Sequence, residues 1–390
     1  MRVSWRAALA IAAAGISTGL AGLAAGPAHA AGPAAPGPAA SSRPAAGPAN
    51  TRYSAPGELA GVAAASAADA WAVGYTGEED SPKVLMLHWN GAKWSRVTSP
   101  GVLTGTGQLT AITAVSASDA WAVGYVPAAG SGLGRSLLLH WNGKAWSQVT
   151  SPGPVAGGLL WAVTATAKAG WAVGYVNTNP DAPLCCAGTP LVLRLSGTKW
   201  ARVSTKLGDG AYLNGVAVTG TGTALATGGP TAMVVGGTAR LAGGSWKWDK
   251  PDPAPGYLDS IAAGPGGTAL AVGANEYTAP FPAVGLRWNG KAWQKVTVSA
   301  PGLAQLSAVA FAPGGTAWAA GFYSSGGTLR PLVMRWNGKA WIRATSPGTR
   351  ETLRGLAFSA SNYGWAVGGT AATSNSDKTV ILHWNGKAWS

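Results

Sequence analysis

Residues 120–125, AWAVGY, are followed closely by residues 141–146, WNGKAW, and these two short stretches decide the fold. Identical or altered copies of the pair occur seven times along the chain. Aligned on the Gly of the first stretch, the copies are spaced by 50, 50, 54, 45, 48 and 47 residues. Repetition at such a period indicates that one supersecondary unit has been duplicated into a closed or stacked array. The cores of the first stretch are Trp71, Trp121, Trp171, Leu225, Leu270, Trp318 and Trp365.

Each repeat contains four apolar segments of strand length, one before the core and two after it. The first segment starts at a Leu in every copy: Leu59, Leu109, Leu160, Leu213, Leu258, Leu306 and Leu353. Four-stranded units of about 40 to 50 residues are typical of propeller blades. The sequence therefore predicts an all-β fold, a seven-bladed β-propeller with four antiparallel strands per blade, over residues 52–390.

The turns of the repeat carry their own signals. Asn-Gly pairs such as Asn142-Gly143 separate the third and fourth segments and predict type I′ hairpins, which need two residues with positive φ. Asp69 and Asp119 lie between the first and second segments. We interpret them as turn residues that hydrogen-bond their own backbone, not as catalytic acids.

Tryptophan dominates the repeat, since 17 of the 20 tryptophans occupy equivalent positions. Such an aromatic stripe predicts packing between blades in preference to a row of sugar-binding platforms. The residue before the third-segment tryptophan, or before its replacement, is always His or Arg. We predict that these side chains stack on neighbouring tryptophans and that they form no metal site. They are His88, His140, Arg194, Arg240, Arg287, Arg335 and His383.

The N-terminal region differs from the repeats. Residues 1–30 predict a secretory signal peptide, with Arg2 and Arg6 before an apolar stretch and residues 28–30, AHA, as the cleavage site. Residues 31–51 are almost wholly Ala, Pro, Gly and Ser and predict a flexible linker. We therefore expect a secreted, extracellular protein without a membrane span, and a monomer.

The chain is basic, with a formal net charge of +14. Many of the charges recur at fixed repeat positions, which favours a solvated outer surface over a specific anion site, and no nucleic-acid partner is expected.

The pattern LxAVxA, AWAVGY and NGKxW resembles that of secreted propeller-repeat proteins of high-GC Gram-positive bacteria. More distantly it resembles Asp-box propellers and propellers of the photosystem II assembly factor type. The resemblance covers residues 52–390 and implies an architecture, not an activity. The chain departs from the Asp-box itself, because Asn stands near the place of its Asp, and no cofactor is predicted.

Catalytic patterns are scarce. The first segments of the repeats contain almost no carboxylates, Asp259 being the exception, whereas a glycosidase needs two. Cys185 and Cys186 are the only cysteines and are adjacent. They could form a strained vicinal disulfide, remain free thiols or bond to another chain.

Binding residues are expected where the repeats differ. The loops between second and third strands, and those between blades, share one face of a propeller and vary most. At the channel mouth on this face, the residue after each first-segment Leu varies as well. From these residues we predict a ligand site of Trp161, Asn214, Asp259, Arg354 and Thr110, with Trp161 as a stacking platform. The alternative is that they are merely solvated residues at strand starts.

Two functions follow from these features. The first is a non-enzymatic secreted propeller that binds a ligand, a glycan, a cell-wall polymer or a protein. The second is a degenerate carbohydrate-active enzyme, of the glycosidase or lyase kind. Two or more acids with an Arg at the channel mouth would favour the second, and their absence would favour the first.

The two chain ends are expected to meet. The chain stops at Trp389-Ser390, halfway through a fourth strand, and residues 52–57, RYSAPG, echo residues 96–101, RVTSPG. We predict that the N-terminal stretch completes the last blade.

Overall fold

The computed structural model describes residues 53–78, 81–97, 105–127, 134–154, 156–167, 169–177, 188–230, 236–249, 256–276, 279–370 and 377–390. In these residues the strands form seven sheets that follow one another along the chain and are antiparallel apart from one added edge strand, which confirms the seven-bladed β-propeller. The predicted signal peptide, the linker and both cysteines lie outside the described residues.

The first four blades contain four strands each. Blade 1 consists of β1 (Glu58–Ser66), β2 (Asp69–Thr76), β3 (Lys83–Trp89) and β4 (Trp94–Arg96). Blade 2 consists of β5 (Gln108–Ser116), β6 (Asp119–Val126), β7 (Arg135–Trp141) and β8 (Trp146–Gln148). Blade 3 consists of β9 (Gly158–Ala165), β10 (Ala169–Asn177), β11 (Gly188–Ser196) and β12 (Lys199–Arg202). Blade 4 consists of β13 (Tyr212–Val218), β14 (Ala224–Gly229), β15 (Gly237–Ala242) and β16 (Ser245–Trp248).

The last three blades depart slightly from this scheme. Blade 5 consists of β17 (Tyr257–Ala263), β18 (Ala269–Ala274), β19 (Ala283–Trp288) and β20 (Trp293–Lys295), with a 3-10 turn at Pro265–Gly267. Blade 6 consists of β22 (Ala304–Phe311), β23 (Ala317–Ser325), β24 (Thr328–Trp336) and β25 (Ala340–Ala344), and β21 (Thr297–Ser299) adds a parallel fifth strand at its outer edge. Blade 7 consists of β26 (Glu351–Ala360), β27 (Tyr363–Thr370) and β28 (Thr379–Trp384).

The core is divided among seven seams, each between two neighbouring blades. In the seam of blades 1 and 2, Trp71 packs in one buried cluster with Ile112 and Trp146. The ring is closed by the seam in which Leu59 of blade 1 packs in one cluster with Trp365 of blade 7. The repeated tryptophans are thus core residues, as predicted, because burying large aromatic surface between blades drives the ring together.

The predicted stacking of His and Arg on tryptophan is confirmed in most blades. His88 stacks on Trp71 with ring centroids 4.1 Å apart, and His140 stacks in the same way on Trp121 at 4.0 Å. The Asp residues of the inner turns also contact these histidines: His88 Nε2 donates to Asp69 Oδ1 (2.8 Å). Our interpretation that Asp69 bonds its own backbone was therefore wrong, since Asp69 ties the turn to the third strand instead.

The Asn-Gly connections are four-residue loops, not the predicted two-residue type I′ turns. In blade 1, Trp89 pairs with Trp94, so four residues span the turn. Asn90 Oδ1 accepts hydrogen bonds from the backbone N–H groups of Ala92 (3.1 Å) and Lys93 (3.0 Å). Only Gly91 of the pair has a positive φ, 89°. The Asn side chain accepts these two N–H groups inside the loop, which explains why Asn-Gly recurs although the loop is not a type I′ turn.

The described parts of the variable loops differ from expectation in blade 6. The loops between second and third strands were expected to vary, and this one is short, because β23 and β24 pair as far as Ser325 and Thr328. Gly326 and Gly327, both with positive φ, form the tight turn between them. Blade 6 therefore extends an ordered hairpin on the loop face.

Both chain ends complete blade 7, as predicted. On the N-terminal side, Pro56 bridges to Lys378, Gly57 N donates to Asp377 O (2.9 Å), and Thr379 N donates to Ala55 O (2.9 Å). At the C-terminus, Ser390 N donates to His383 O (3.0 Å). The fourth strand of blade 7 is thus divided between the two ends of the chain.

Candidate functional site

The site is built on a β-bulge that recurs in the inner strand of every blade. In each blade the Leu pairs with a Gly of the second strand, and the next paired residue is two places further on. The residue in between is unpaired, and a bulge re-aims such a side chain out of the regular alternation. The seven bulged residues are Ala60, Thr110, Trp161, Asn214, Asp259, Ser307 and Arg354. They are the ring of variable positions that the repeat alignment singled out.

The Gly of the AWAVGY stretch makes this bulge possible. In blade 5, a Cβ on Gly273 would collide with the carbonyl oxygen of Tyr257. The same collision would occur in all seven blades, between the second-strand Gly and the carbonyl of the residue before the Leu. A side chain there would push the bulged strand away, so the glycine is needed for a close backbone approach. The second-strand glycines are Gly74, Gly124, Gly174, Gly228, Gly273, Gly321 and Gly368.

The predicted site residues are all buried, so their interpretation as solvated strand starts is wrong. Thr110 is fully buried, and its Oγ1 lies within hydrogen-bond distance of Leu160 O in blade 3 (2.8 Å). Asn214 accepts from Thr227 Oγ1 (3.0 Å). Trp161 is only 7% exposed. Thr110 and Asn214 thus use their polar atoms inside the fold, and ligand binding by any of the five residues stays a prediction.

Blades 2 to 5 supply an aromatic half of the ring. Trp161 lies 6.3 Å, centroid to centroid, from both Tyr175 and Tyr212. Tyr257 belongs to the same buried cluster, and the half-buried Tyr125 packs against it. Because Trp161 is enclosed by these tyrosines, a ligand would contact the more exposed edge of the cluster, such as Tyr125, before it could stack on the Trp161 ring.

Blades 7 and 1 meet in an ion pair. Arg354 Nε donates to Glu58 Oε1 (3.0 Å), and the two side chains are 6% and 19% exposed. Tyr75 OH donates to the other carboxylate oxygen of Glu58 (3.0 Å). Burial, together with the Glu58 charge, raises the pKa of Tyr75 well above its usual range, which keeps the phenol protonated. Glu58 is thus satisfied on both oxygens.

Blade 5 holds two further carboxyl groups at the same mouth, and blade 6 contributes an amide to one of them. Gln305 Nε2 donates to Asp259 Oδ2 (2.7 Å) across the blade seam. Burial raises the pKa of Asp259 to about 6, an effect that Gln305 and the more distant Arg354 only partly offset. Burial and the neighbouring Asp259 raise the pKa of Glu276 to about 7. Such groups gain and lose protons near neutral pH, as a general acid or base must.

The charged half of the ring therefore contains more acids than the sequence indicated. Glu58 contacts Arg354, the charge of Arg354 also acts on Asp259, and Asp259 in turn acts on Glu276. Several acids together with an Arg meet the criterion set above for favouring an enzyme. The predicted site did not include Glu58, Tyr75, Gln305 or Glu276, and all four are more exposed than the bulged residues. The signal that could have found two of them is the equally variable position before each inner-strand Leu: Glu58, Gln108, Leu159, Tyr212, Tyr257, Gln305 and Thr352.

The described residues contain no group of three or more His, Cys, Asp or Glu side chains that could hold a metal ion. None of their helices is long and apolar enough to cross a membrane.

Comparison with known proteins shows that this chain shares its fold with other propellers. No protein-family model matches the chain, and the search of curated proteins found no match. Among solved structures, YCF48 bound to D1 peptide is similar, with a TM-score of 0.52 and 13% identity over 89% of this chain and 97% of that one. A streptogramin B lyase is similar with a TM-score of 0.53 and 12% identity, over 83% of this chain and 93% of that one. A PL25 ulvan lyase, with a polysaccharide fragment bound, is similar with a TM-score of 0.51 and 8% identity, over 86% of this chain and 96% of that one.

Proposed function

We propose that this protein is a secreted propeller that binds an extracellular glycan, cell-wall polymer or protein at the channel mouth of its loop face. The observation that carries the proposal is the division of the ring into an aromatic half and a charged half. Glycans and polypeptides both present apolar faces beside polar groups, and such ligands suit a site with apolar walls and a few convergent polar groups. Export is inferred from residues 1–30 of the sequence.

The similarity to known propellers is compatible with this function but does not distinguish binding from catalysis. YCF48 was solved with a peptide bound, and the ulvan lyase with a polysaccharide fragment. Both were found at identities that support a shared fold alone, and one fold hosts many functions. The proposal therefore depends on the residues of the ring.

A binding array of glycans, cell-wall polymers and peptides tests the proposal directly. The structure also selects the variants to use with any ligand found. Trp161 and Arg354 are buried, so replacing them with Ala would disturb the fold along with the site. Gln305→Ala and Tyr125→Phe change more accessible groups at the mouth, and Asn142→Ala on the opposite face is the matched control.

We expect Gln305→Ala to weaken binding about tenfold through the loss of hydrogen bonds to the ligand and to Asp259, while Asn142→Ala leaves affinity unchanged. Circular dichroism checks that each variant is folded. The proposal is wrong if no ligand binds, or if a folded Asn142→Ala variant loses affinity and the Gln305→Ala variant does not.

A second candidate is a carbohydrate-active enzyme, which the carboxyl groups of Asp259 and Glu276 favour. A group with a raised pKa can protonate a leaving oxygen, while a neighbouring carboxylate accepts a proton or attacks the sugar. The test is product release from any bound glycan, measured as new reducing ends. An enzyme would lose this activity in Asp259→Asn with binding retained. A binding protein would release no product in either form.

A further inference from the structure

Lysine recurs in the loops between third and fourth strands. Six of the seven loops carry one exposed lysine: Lys93, Lys144, Lys199, Lys291, Lys339 and Lys387. The lysine has no fixed place, since Lys144 follows the Gly of its loop directly, whereas Lys93 comes one residue later, next to the tryptophan. An exposed side chain of this kind adds little to folding stability. Because the charge is kept although its place shifts, the loops retain it for a reason other than the fold.

These loops lie on the face opposite the channel mouth, beside the turns between first and second strands. A Cβ on Gly91 would lie 3.1 Å from the Cβ of Ala68, and one on Gly143 would lie 2.8 Å from that of Ser118. We call the surface formed by both sets of turns the turn face. Blade 7 packs against blade 1, so the lysines of blades 5, 6, 7, 1, 2 and 3 form one continuous arc. The arc is interrupted at blade 4, where residues 242–245 contain no lysine.

Acidic side chains are scarce on the turn face. The chain has 14 Asp and Glu residues, but in the described turns and loops of this face only Asp69 and Asp119 are acidic. Asp69 Oδ1 lies 2.8 Å from His88 Nε2. Asp119 Oδ1 lies 3.0 Å from His140 Nε2. None of the six lysines forms an ion pair with a described residue, so the turn face carries positive charge that its own acids do not neutralise.

We propose that the turn face binds a linear phosphodiester polymer, which lies along the arc of lysines. A lysine ammonium binds phosphate as a point charge and imposes no fixed orientation, unlike the planar fork of arginine. A polymer with one negative charge on each unit suits cations whose places vary slightly from blade to blade. This site is separate from the channel mouth and does not depend on the function proposed there.

Two other anionic partners fit this surface less well. A small anion would contact one or two of the lysines, because the six are distributed over six blades, whereas a polymer chain can contact several at once. A lipid surface is favoured by apolar side chains beside the charges. Among the described residues the exposed large apolar side chain is Ile342, which lies in the outer strand of blade 6 and not in a turn.

The proposal is tested with poly(glycerol phosphate) as the probe and the full chain as the protein. Affinity is measured by calorimetry between about 50 and 200 mM sodium chloride, because binding to a polyanion weakens steeply with salt. The test variant replaces three lysines of neighbouring blades across the ring closure with Gln: Lys339, Lys387 and Lys93. We expect at least about tenfold weaker binding at the lowest salt. The slope of log affinity against log salt should decrease by about 2, since each phosphate contact on a single-stranded polyanion contributes about 0.7.

A matched control removes the same charge from the opposite face. It replaces three exposed cations of the loop face with Gln: Lys83, Arg135 and Lys206. We expect this control to keep the native slope and to bind within about twofold of the native protein, because charges beyond a Debye length are largely screened. Circular dichroism checks that both triple variants are folded.

Each outcome supports or overturns the proposal. An unchanged slope in the turn-face variant, or an equal loss in the control, overturns it. Polygalacturonate that binds as tightly as poly(glycerol phosphate) refutes the phosphodiester class, and lysine-dependent binding of phosphatidylglycerol vesicles without binding of the polymer shows that the face docks on lipid instead. Gln305→Ala should bind the polymer as the native protein does; a loss there would place the polymer at the channel mouth and refute the turn-face site.

Discussion

Removal of the residues before Glu58 should destabilise the whole ring, because these residues close blade 7. Truncation to Glu58 deletes three hydrogen bonds with backbone donors: Gly57 N to Asp377 O (2.9 Å), Thr379 N to Ala55 O (2.9 Å) and Ala55 N to Thr379 Oγ1 (3.1 Å). It also deletes the longer bond from Thr379 Oγ1 to Tyr53 O (3.4 Å), which is left out of the following sum. At a net value of about 1 kcal/mol each, the free energy of unfolding falls by about 3 kcal/mol. The half-buried Tyr53, which packs on the seam of blades 7 and 1, is lost as well.

The expected change in melting temperature follows from the size of the ring. An unfolding entropy of about 2.1 cal/mol/K per residue gives about 0.7 kcal/mol/K for roughly 330 residues. A loss of about 3 kcal/mol therefore lowers the melting temperature by about 4 °C. The assay is thermal unfolding followed by circular dichroism, and the matched control is a chain that begins at Tyr53 and so retains every one of these bonds. Equal melting temperatures for the two truncated chains would refute the latch.

Three further predictions concern single side chains. Gly124→Ala places a Cβ against the carbonyl of the preceding bulged strand, so we expect urea denaturation to show a loss of about 2 kcal/mol or more, whereas Gly105→Ala, in open space, has almost no effect. Burial lowers the pKa of His383 in the folded protein, so the unfolded chain binds a proton more readily. The free energy of unfolding therefore decreases as the pH falls below about 6.5. Between about pH 7.5 and pH 5.5 the melting temperature of His383→Gln should fall less than that of the native protein. Glu58→Gln removes the negative charge beside the buried Arg354 and should reduce the free energy of unfolding by about 3 kcal/mol. A double variant that also carries Arg354→Met should recover part of that loss. If the losses of the two single variants simply add in the double variant, the pairing is contradicted.

Much of the fold could be predicted from the sequence because its information is local and repeated. The period of the AWAVGY and WNGKAW stretches indicates seven blades, and each inner-strand Leu marks where a blade begins. The contribution of the N-terminal stretch to blade 7 could also be predicted, since residues 52–57, RYSAPG, resemble residues 96–101, RVTSPG, of the fourth segment in the first repeat. Turn geometry was less accessible: the Asn-Gly pair located the turns correctly but indicated the wrong type, because the pairing of Trp89 with Trp94 decides how many residues the loop contains.

The candidate site was predictable in position but not in character. The alignment found the ring of residues after each Leu, yet it could not show that each of them is a bulged residue. Nor could it show that Thr110 and Asn214 make hydrogen bonds to groups inside the protein. Nor could it show that the charge of Asp259 in β17 acts on Glu276, which follows β18.

The sequence by itself determined the number of blades, their strand order and the closure of the ring, because these depend on hydrophobic periodicity and on motifs a few residues long. Only the tertiary structure decided which polar groups meet at the channel mouth. Arg354 and Glu58 are 296 positions apart in the chain, and the contact between them exists only because the ring closes. The burial that raises the pKa of Asp259 is likewise a property of the packed seam, not of any local stretch of residues.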